Sequence, residues 1–387
     1  MFLIGIDVAK DKHDCFICDS EGNVIKDVFT FSNDREGFNL LLSFMPTSSE
    51  NVKVGLEATG HYSLNLINFL IDNGYSPVVF NPLQINLFRK AHTLRKTKTD
   101  KIDAKLIALM LSSSDAKPHL DLSYHVTELK SLTRYRSRLK DQLARLKISL
   151  DRIIEIMLPE LEDCVYSINQ KSTMALLHQF PSKELIANAH LTRLTNVLKD
   201  NSRGKYSKDK ALEIRNVASN SIGTSSDASS FELVQTIDMI NFYSSKIDEL
   251  DAKIKDIMIE LESPILSIPG ISYNLGSIIL AEIVDINRFD TSAQLQAFAG
   301  LDPATHQSGK FIATDVSMVK RGSPYLRWAI LNASRLIAMR DPCFKDYYQR
   351  KRKEGKHHFV ALTHVAKKLI RVIFKLLKTN SQFSPQA

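Results

Sequence analysis

The chain has 387 residues, 44% of them hydrophobic and 24% charged, with a formal net charge of +8 and a pI near 9.1. That length fits two or three domains, the composition is that of an ordinary globular protein, and the charge favours an acidic partner, nucleic acid first. No apolar run reaches the ~18 residues of a membrane span, and "MFLIGIDVAKDKHD" reads as a strand followed by charges rather than as a signal peptide, so a cytoplasmic protein without a membrane partner is expected.

Residues 1–118 alternate strand and helix. "FLIGIDVA" is rich in β-branched residues, and "DCFICDS" and "NVIKDVFTF" follow with turn residues between them, which predicts three antiparallel strands. "DREGFNLLLSFM" carries a helical apolar stripe, "NVKVGLEA" is a fourth strand, and "GHYSLNLINFLIDNG" is a helix closing at Gly74. "YSPVVFNP" is a fifth strand, with helices past Pro82. The order βββαβαβα predicts a mixed sheet of the ribonuclease H-like kind. Cys15 and Cys18 have metal-motif spacing, but no second pair of ligands accompanies them. They read as small apolar residues of a strand.

Residues 119–262 are predicted to be helical. Leu129, Leu132, Arg136, Leu139, Leu143, Leu146, Leu150, Ile153 and Met157 recur in steps of three and four. So do Ile240, Tyr243, Ile247, Leu250, Ile254, Ile257 and Leu261. Such spacing predicts a coiled coil, closed within one chain or across a dimer. A serine-rich loop is expected at 217–230. Residues 263–387 form a third, mainly helical region. It opens with a helix-hairpin-helix-like "SIPGI", a turn that either offers N–H groups to a phosphate or is a packing corner. From Arg340 to Arg371 there are ten Lys and Arg against three acids, and Arg350, Lys351, Arg352 and Lys353 lie together there. Either a solvated helix face or a phosphate contact fits that pattern.

Four acids carry the chemistry. Asp7 interrupts an apolar strand, Glu57 ends the fourth strand, and Asp100 and Asp103 share one face at a helix start. Neighbouring first and fourth strands bring Asp7 and Glu57 together. The helix with the other pair then crosses their ends. Carboxylates so placed repel unless a divalent metal, magnesium or manganese, is held among them. Taken singly the acids are ordinary: an N-cap, a first-turn acid, a strand-end charge. The basic tract around them, including Arg95, Lys96 and Lys98, suits a nucleic-acid backbone.

"IGIDVAK", "LEATGHY", "VVFNP" and "RKTKTDKIDAKLIA" resemble the DEDD transposases, insertion-sequence recombinases related to the Piv invertase, whose N-terminal domain is similar to RuvC. "SIPGI", "FAGLDP", "HQSGK" and "KRGSPYLRWAI" resemble that family's C-terminal transposase domain. The resemblance implies magnesium on Asp7, Glu57, Asp100 and Asp103. It also implies a nucleophilic serine, here Ser308, that forms a phosphoserine link to DNA. Lys320, Arg321 and Arg327 are then phosphate or transition-state contacts. Further implied are a structured bridge RNA that selects donor and target DNA, a homo-oligomer (dimer or tetramer), and action at the prokaryotic nucleoid. From the residues alone, a serine beside a glycine is a turn residue, His306 is an unsupported base, and Ser317 and Ser323 are rivals. Two other readings remain open: a hydrolytic RuvC-like junction nuclease, and a nucleic-acid-binding protein without catalysis.

Overall fold

A computed structural model describes residues 1–46, 51–57, 62–80, 82–92, 100–113, 124–302, 307–308, 311–312 and 318–385. Met1–Ser123 and Tyr124–Ala387 are two compact units.

The first unit holds β1 (Phe2–Val8), β2 (Lys12–Asp19), β3 (Val24–Ser32), α1 (Arg35–Phe44), β4 (Val52–Glu57), α2 (Ser63–Asp72), β5 (Val78–Phe80), α3 (Pro82–His92) and α4 (Asp100–Ser113). The strand order is β3-β2-β1-β4-β5. β1–β2 and β2–β3 pair antiparallel, and β1–β4 and β4–β5 pair parallel. This mixed sheet agrees with the ribonuclease H-like expectation. Asp34 caps α1 by accepting from the Gly37 N–H, and Gly74, with φ +83°, ends the turn after α2.

Both faces of the sheet are covered, so β1 is apolar nearly throughout. Ile4, Ile6, Val8, Cys15, Val54 and Leu56 pack with α1 and α2 on one face. Leu3, Phe16, Cys18, Val78 and Phe80 pack with α3 and α4 on the other. Cys15 and Cys18 are thus on opposite faces, buried and free, as period-2 side chains three apart must be. Burial pushes both thiols up in pKa.

α4 sits directly on the sheet because two glycines admit it. Gly5 and Gly55 are register partners in the parallel β1–β4 pair. A Cβ on Gly5 would lie 2.1 Å from the Ala104 carbonyl oxygen and 2.5 Å from the Ala108 nitrogen. A Cβ on Gly55 would meet side chains of Phe80, Ile107 and Leu111 at 2.9–3.1 Å.

The second unit runs α5 (Tyr124–Met157), α6 (Leu161–Cys164), α7 (Lys171–Gln179), α8 (Lys183–Asn188), α9 (Leu191–Asn201), α10 (Lys208–Asn220) and α11 (Asp227–Glu260). α12 (Tyr273–Ile283), α13 (Ser292–Phe298), the two-residue strands β6 (Gln307–Ser308) and β7 (Phe311–Ile312), α14 (Pro324–Arg340), α15 (Pro342–Lys353) and α16 (His358–Thr379) follow. α5 and α11 are each 34 residues long and pack against each other. Arg136 pairs with Asp251 and Arg152 with Glu232, so the helices run antiparallel. The two apolar stripes therefore meet inside one chain. They feed two cores. One joins Leu139–Met157 to α6–α10, and the other joins Leu129, Ile254 and Met258 to α12–α16. The limit expected near 262 falls just past the end of α11, inside this unit.

The serine-rich stretch 217–230 is shorter as a loop than its composition suggests. α10 runs to Asn220, and Ser226 with Ser229 forms a capping box that starts α11. Serine here serves as a helix cap. In "SIPGI", Gly270 has φ +97°, and a Cβ there would touch Leu336 of α14 at 2.8 Å, so the turn packs against that helix. No helix among the described residues is long and apolar enough to cross a membrane.

Gly5→Ala should lower stability by ~3 kcal/mol, since backbone atoms rather than flexible side chains must give way. Gly55→Ala, facing side chains, should cost less. Urea unfolding of both variants checks the order; equal losses would mean that α4 does not rest on Gly5 as described.

Candidate active site

The β1–β4 ladder ends with the partners Ile6 and Leu56. Asp7 and Glu57 come next on each strand, so they leave adjacent strands at the same level. They alternate with Ile6 and Leu56 and so share the face of Gly5 and Gly55, on which α4 lies. Asp103 directly precedes Ala104, whose carbonyl is against Gly5, and it is only 2% exposed. Asp7 and Glu57 thus lie on the sheet face that α4 covers, near the carboxyl ends of the parallel strands, where open α/β sheets hold ligands, and Asp103 is on the helix that covers it. The fourth, Asp100, starts α4 one turn earlier, and its side chain lies outside the described residues.

Two neighbours were not singled out from the sequence. Asp14 is the direct cross-strand partner of Asp7, is 6% exposed, and accepts a hydrogen bond from the Thr30 hydroxyl. Its signal was the one that marked Asp7: a carboxylate within an apolar strand. Arg89 of α3 donates to Asp103 at 2.5 Å, and its buried Nε has no acceptor among the described residues. A buried carboxylate requires a cation, and here the guanidinium supplies it. Among the described residues no three His, Cys, Asp or Glu side chains converge as a metal-holding group. Arg95, Lys96 and Lys98 lie outside the described residues.

In the second unit Ser308 belongs to the two-residue strand β6, in register with Phe311 of β7. His306 and Ser317 lie outside the described residues. Ser323 is committed elsewhere. Its hydroxyl caps α14 by accepting from the Leu326 N–H and donates to Glu282 at 2.7 Å. Glu282 is 2% exposed and receives two bonds from Arg134, at 2.8 and 3.1 Å. Burial alone would raise the Glu282 carboxyl, but the Arg134 and Ser323 hydrogen bonds outweigh it and hold its pKa below the usual range.

The segment before α14 is tightly shaped. Lys320 has φ +53°, and Gly322 has φ +122° with no room for a Cβ beside the Phe298 carbonyl oxygen. Arg327 donates to the carbonyls of Lys320, at 3.1 Å, and Ala299, at 3.4 Å, bracing this loop. Lys320 and Arg321 are exposed. Arg350, Lys351, Arg352 and Lys353 form the last turn of α15, where the helix dipole favours cations. Lys351 pairs with Glu354 there, while Arg350, Arg352 and Lys353 are exposed.

Two family models match the chain. One, a transposase model of the DEDD IS110 type, covers residues 4–159, and a second, for the IS116/IS110/IS902 transposase family, covers 262–349. An uncharacterized 44.8 kDa protein of insertion element IS116 from Streptomyces clavuligerus is 23% identical over 397 residues, 99% of this chain and 96% of that one. The pilin gene-inverting protein of Moraxella bovis is 26% identical over 98% of this chain and 97% of its own length. The IS110 protein of Streptomyces coelicolor is 33% identical over 117 residues, 30% of this chain and 29% of that one. These matches define a DNA transposase/recombinase. The chain belongs to the IS110 family of DEDD transposases.

Breaking the buried cluster should be costly. Glu282→Gln leaves Arg134 without its charge partner and should lose about 3 kcal/mol at neutral pH. Because the folded carboxyl titrates lower than the unfolded one, its contribution is complete above the ordinary glutamate pKa. It is lost as pH falls through the lowered folded value. Urea unfolding of wild type and Glu282→Gln at pH 7 and at pH 3 checks this; a gap between them that does not narrow in acid contradicts it.

Proposed function

We propose that this transposase cuts and rejoins DNA through a phosphoserine intermediate on Ser308, with magnesium (or manganese) held by Asp7, Glu57, Asp100 and Asp103. The observation that supports the metal reading is the seating of α4, which carries Asp103, on Gly5 and Gly55, two residues before Asp7 and Glu57. The donors are all hard oxygens, the set that suits magnesium rather than zinc. Asp103 is charge-paired with Arg89, and Asp14 is the cross-strand partner of Asp7. Bound there, the metal would stabilise negative charge building on a scissile phosphate.

The chain's own residues do the rest. The Ser308 Oγ attacks the DNA phosphorus and gives up its proton, and the departing DNA oxygen takes one. The phosphoserine ester keeps the bond energy. In the second half a DNA hydroxyl attacks the same phosphorus, and the serine oxygen leaves and regains a proton. Arg89 holds Asp103 through its guanidinium. Arg95, Lys96, Lys98, Lys320, Arg321 and the Arg350–Lys353 turn contact phosphates, whereas Arg327 acts by bracing the Lys320 loop. The family resemblance implies an oligomer in which one subunit's acids work with another's serine. The family resemblance adds a bridge RNA as guide and a dimer or tetramer as the working form.

Ser308→Ala should keep DNA binding yet form no covalent adduct and no recombinant. Asp7→Asn should cut no strand in magnesium. Denaturing gels with labelled DNA, followed by mass mapping of the linked peptide, read both. An adduct on another residue moves the nucleophile. Recombination by wild type with no adduct under any trapping condition rules out the serine and leaves attack by water or a DNA hydroxyl.

A further inference from the structure

Trp328 is the one tryptophan in the chain, and it is not in the core. It lies on α14, 53% exposed, one turn after Tyr325 on the same helix face. Both line a cleft of about 630 Å³ between α5, α12 and α14. Pro324 and Ile278 complete its apolar side, and Arg136, Ser137, Lys140 and Asp141 of α5 form a polar opposite side. That wall belongs to "KSLTRYRSRLKD", residues 130–141, which holds five cations against one acid, Asp141. Glu282 takes the charge of Arg134 and Asp251 that of Arg136. Arg138 and Lys140 remain exposed. The Lys320–Arg321 loop leads into this same α14.

We infer that this cleft receives an unstacked base of the DNA strand, held against the Trp328 ring with its phosphate at Lys140. The size suits a flat aromatic ligand. A π-face accepts any base, and cations beside it take the backbone, as in sites for single-stranded nucleic acid. The surplus of positive charge on α5 favours a polyanion over a protein partner. DNA is the strand chosen because a transposase must lift strand ends out of their old duplex before joining them to new ones. The inference rests on the family's action on DNA and is independent of Ser308 and the acids.

Trp328 is its own reporter. Emission is followed without magnesium, so that no chemistry intervenes, against a DNA duplex with a short unpaired gap, the same duplex fully paired, and a single-stranded RNA of the gap sequence. The gapped DNA should quench strongly and the paired duplex weakly. By anisotropy with labelled probes, Trp328→Ala should weaken gapped-DNA binding by about 5–100-fold, with little change for paired duplex. Trp328→Phe should restore most of that affinity, which a mere folding defect would not allow. Equal quenching by paired duplex overturns the inference, as does quenching by RNA alone. So does an emission shift that follows protein concentration without nucleic acid, which would mean that a second copy covers the cleft.

Discussion

At Gly5 the backbone of α4 occupies the space where a side chain would stand, with the Ala104 carbonyl oxygen 2.1 Å from an ideal Cβ. That approach sets the geometry of the whole first unit. Gly55 is its register partner, so the helix rests on a two-strand strip without side chains. Each glycine stands two residues before an acid, Asp7 and Glu57, on the same face. The helix and the acids are therefore fixed by one feature: the bare strip admits α4, and α4 brings Asp103 to the strand ends. On β2, Asp14 stands opposite Asp7.

The second unit handles its buried charge differently. Glu282 is fully partnered by Arg134 and Ser323, so the cluster ties α5, α12 and the start of α14 together. A buried pair of this kind adds little net stability but penalises any arrangement that breaks it. One consequence concerns chemistry. Ser323 spends its hydroxyl on a helix cap and a carboxylate, which leaves it poorly placed as a nucleophile. Arg327 likewise spends two donors on backbone carbonyls.

Much of the first unit was legible in the sequence. Asp7 stood out because a carboxylate in an apolar strand is costly, and the element order led to the neighbouring of β1 and β4. Asp14 carries the same signal and was passed over, because its partnership with Asp7 exists only once the β1–β2 register is known. Gly5 and Gly55 carry no signal in the sequence; only the docked helix gives them meaning. The long stripes of α5 and α11 announced a helical pairing, but 3-4 spacing is equally served by helices shared between two larger cores. Ser308 had no physical signal of its own and rested on resemblance throughout. The cleft beside Trp328 was not legible at all, since it joins residues 137 and 140 to 278 and 328.

The central claim is that the acids placed by α4 form one metal site. Its most direct test is thermal unfolding of wild type and Asp7→Asn with and without magnesium. A ligand that binds only the folded state raises the midpoint in proportion to its affinity. Magnesium should raise the wild-type midpoint and leave that of Asp7→Asn unmoved. An equal rise in both proteins would contradict the claim.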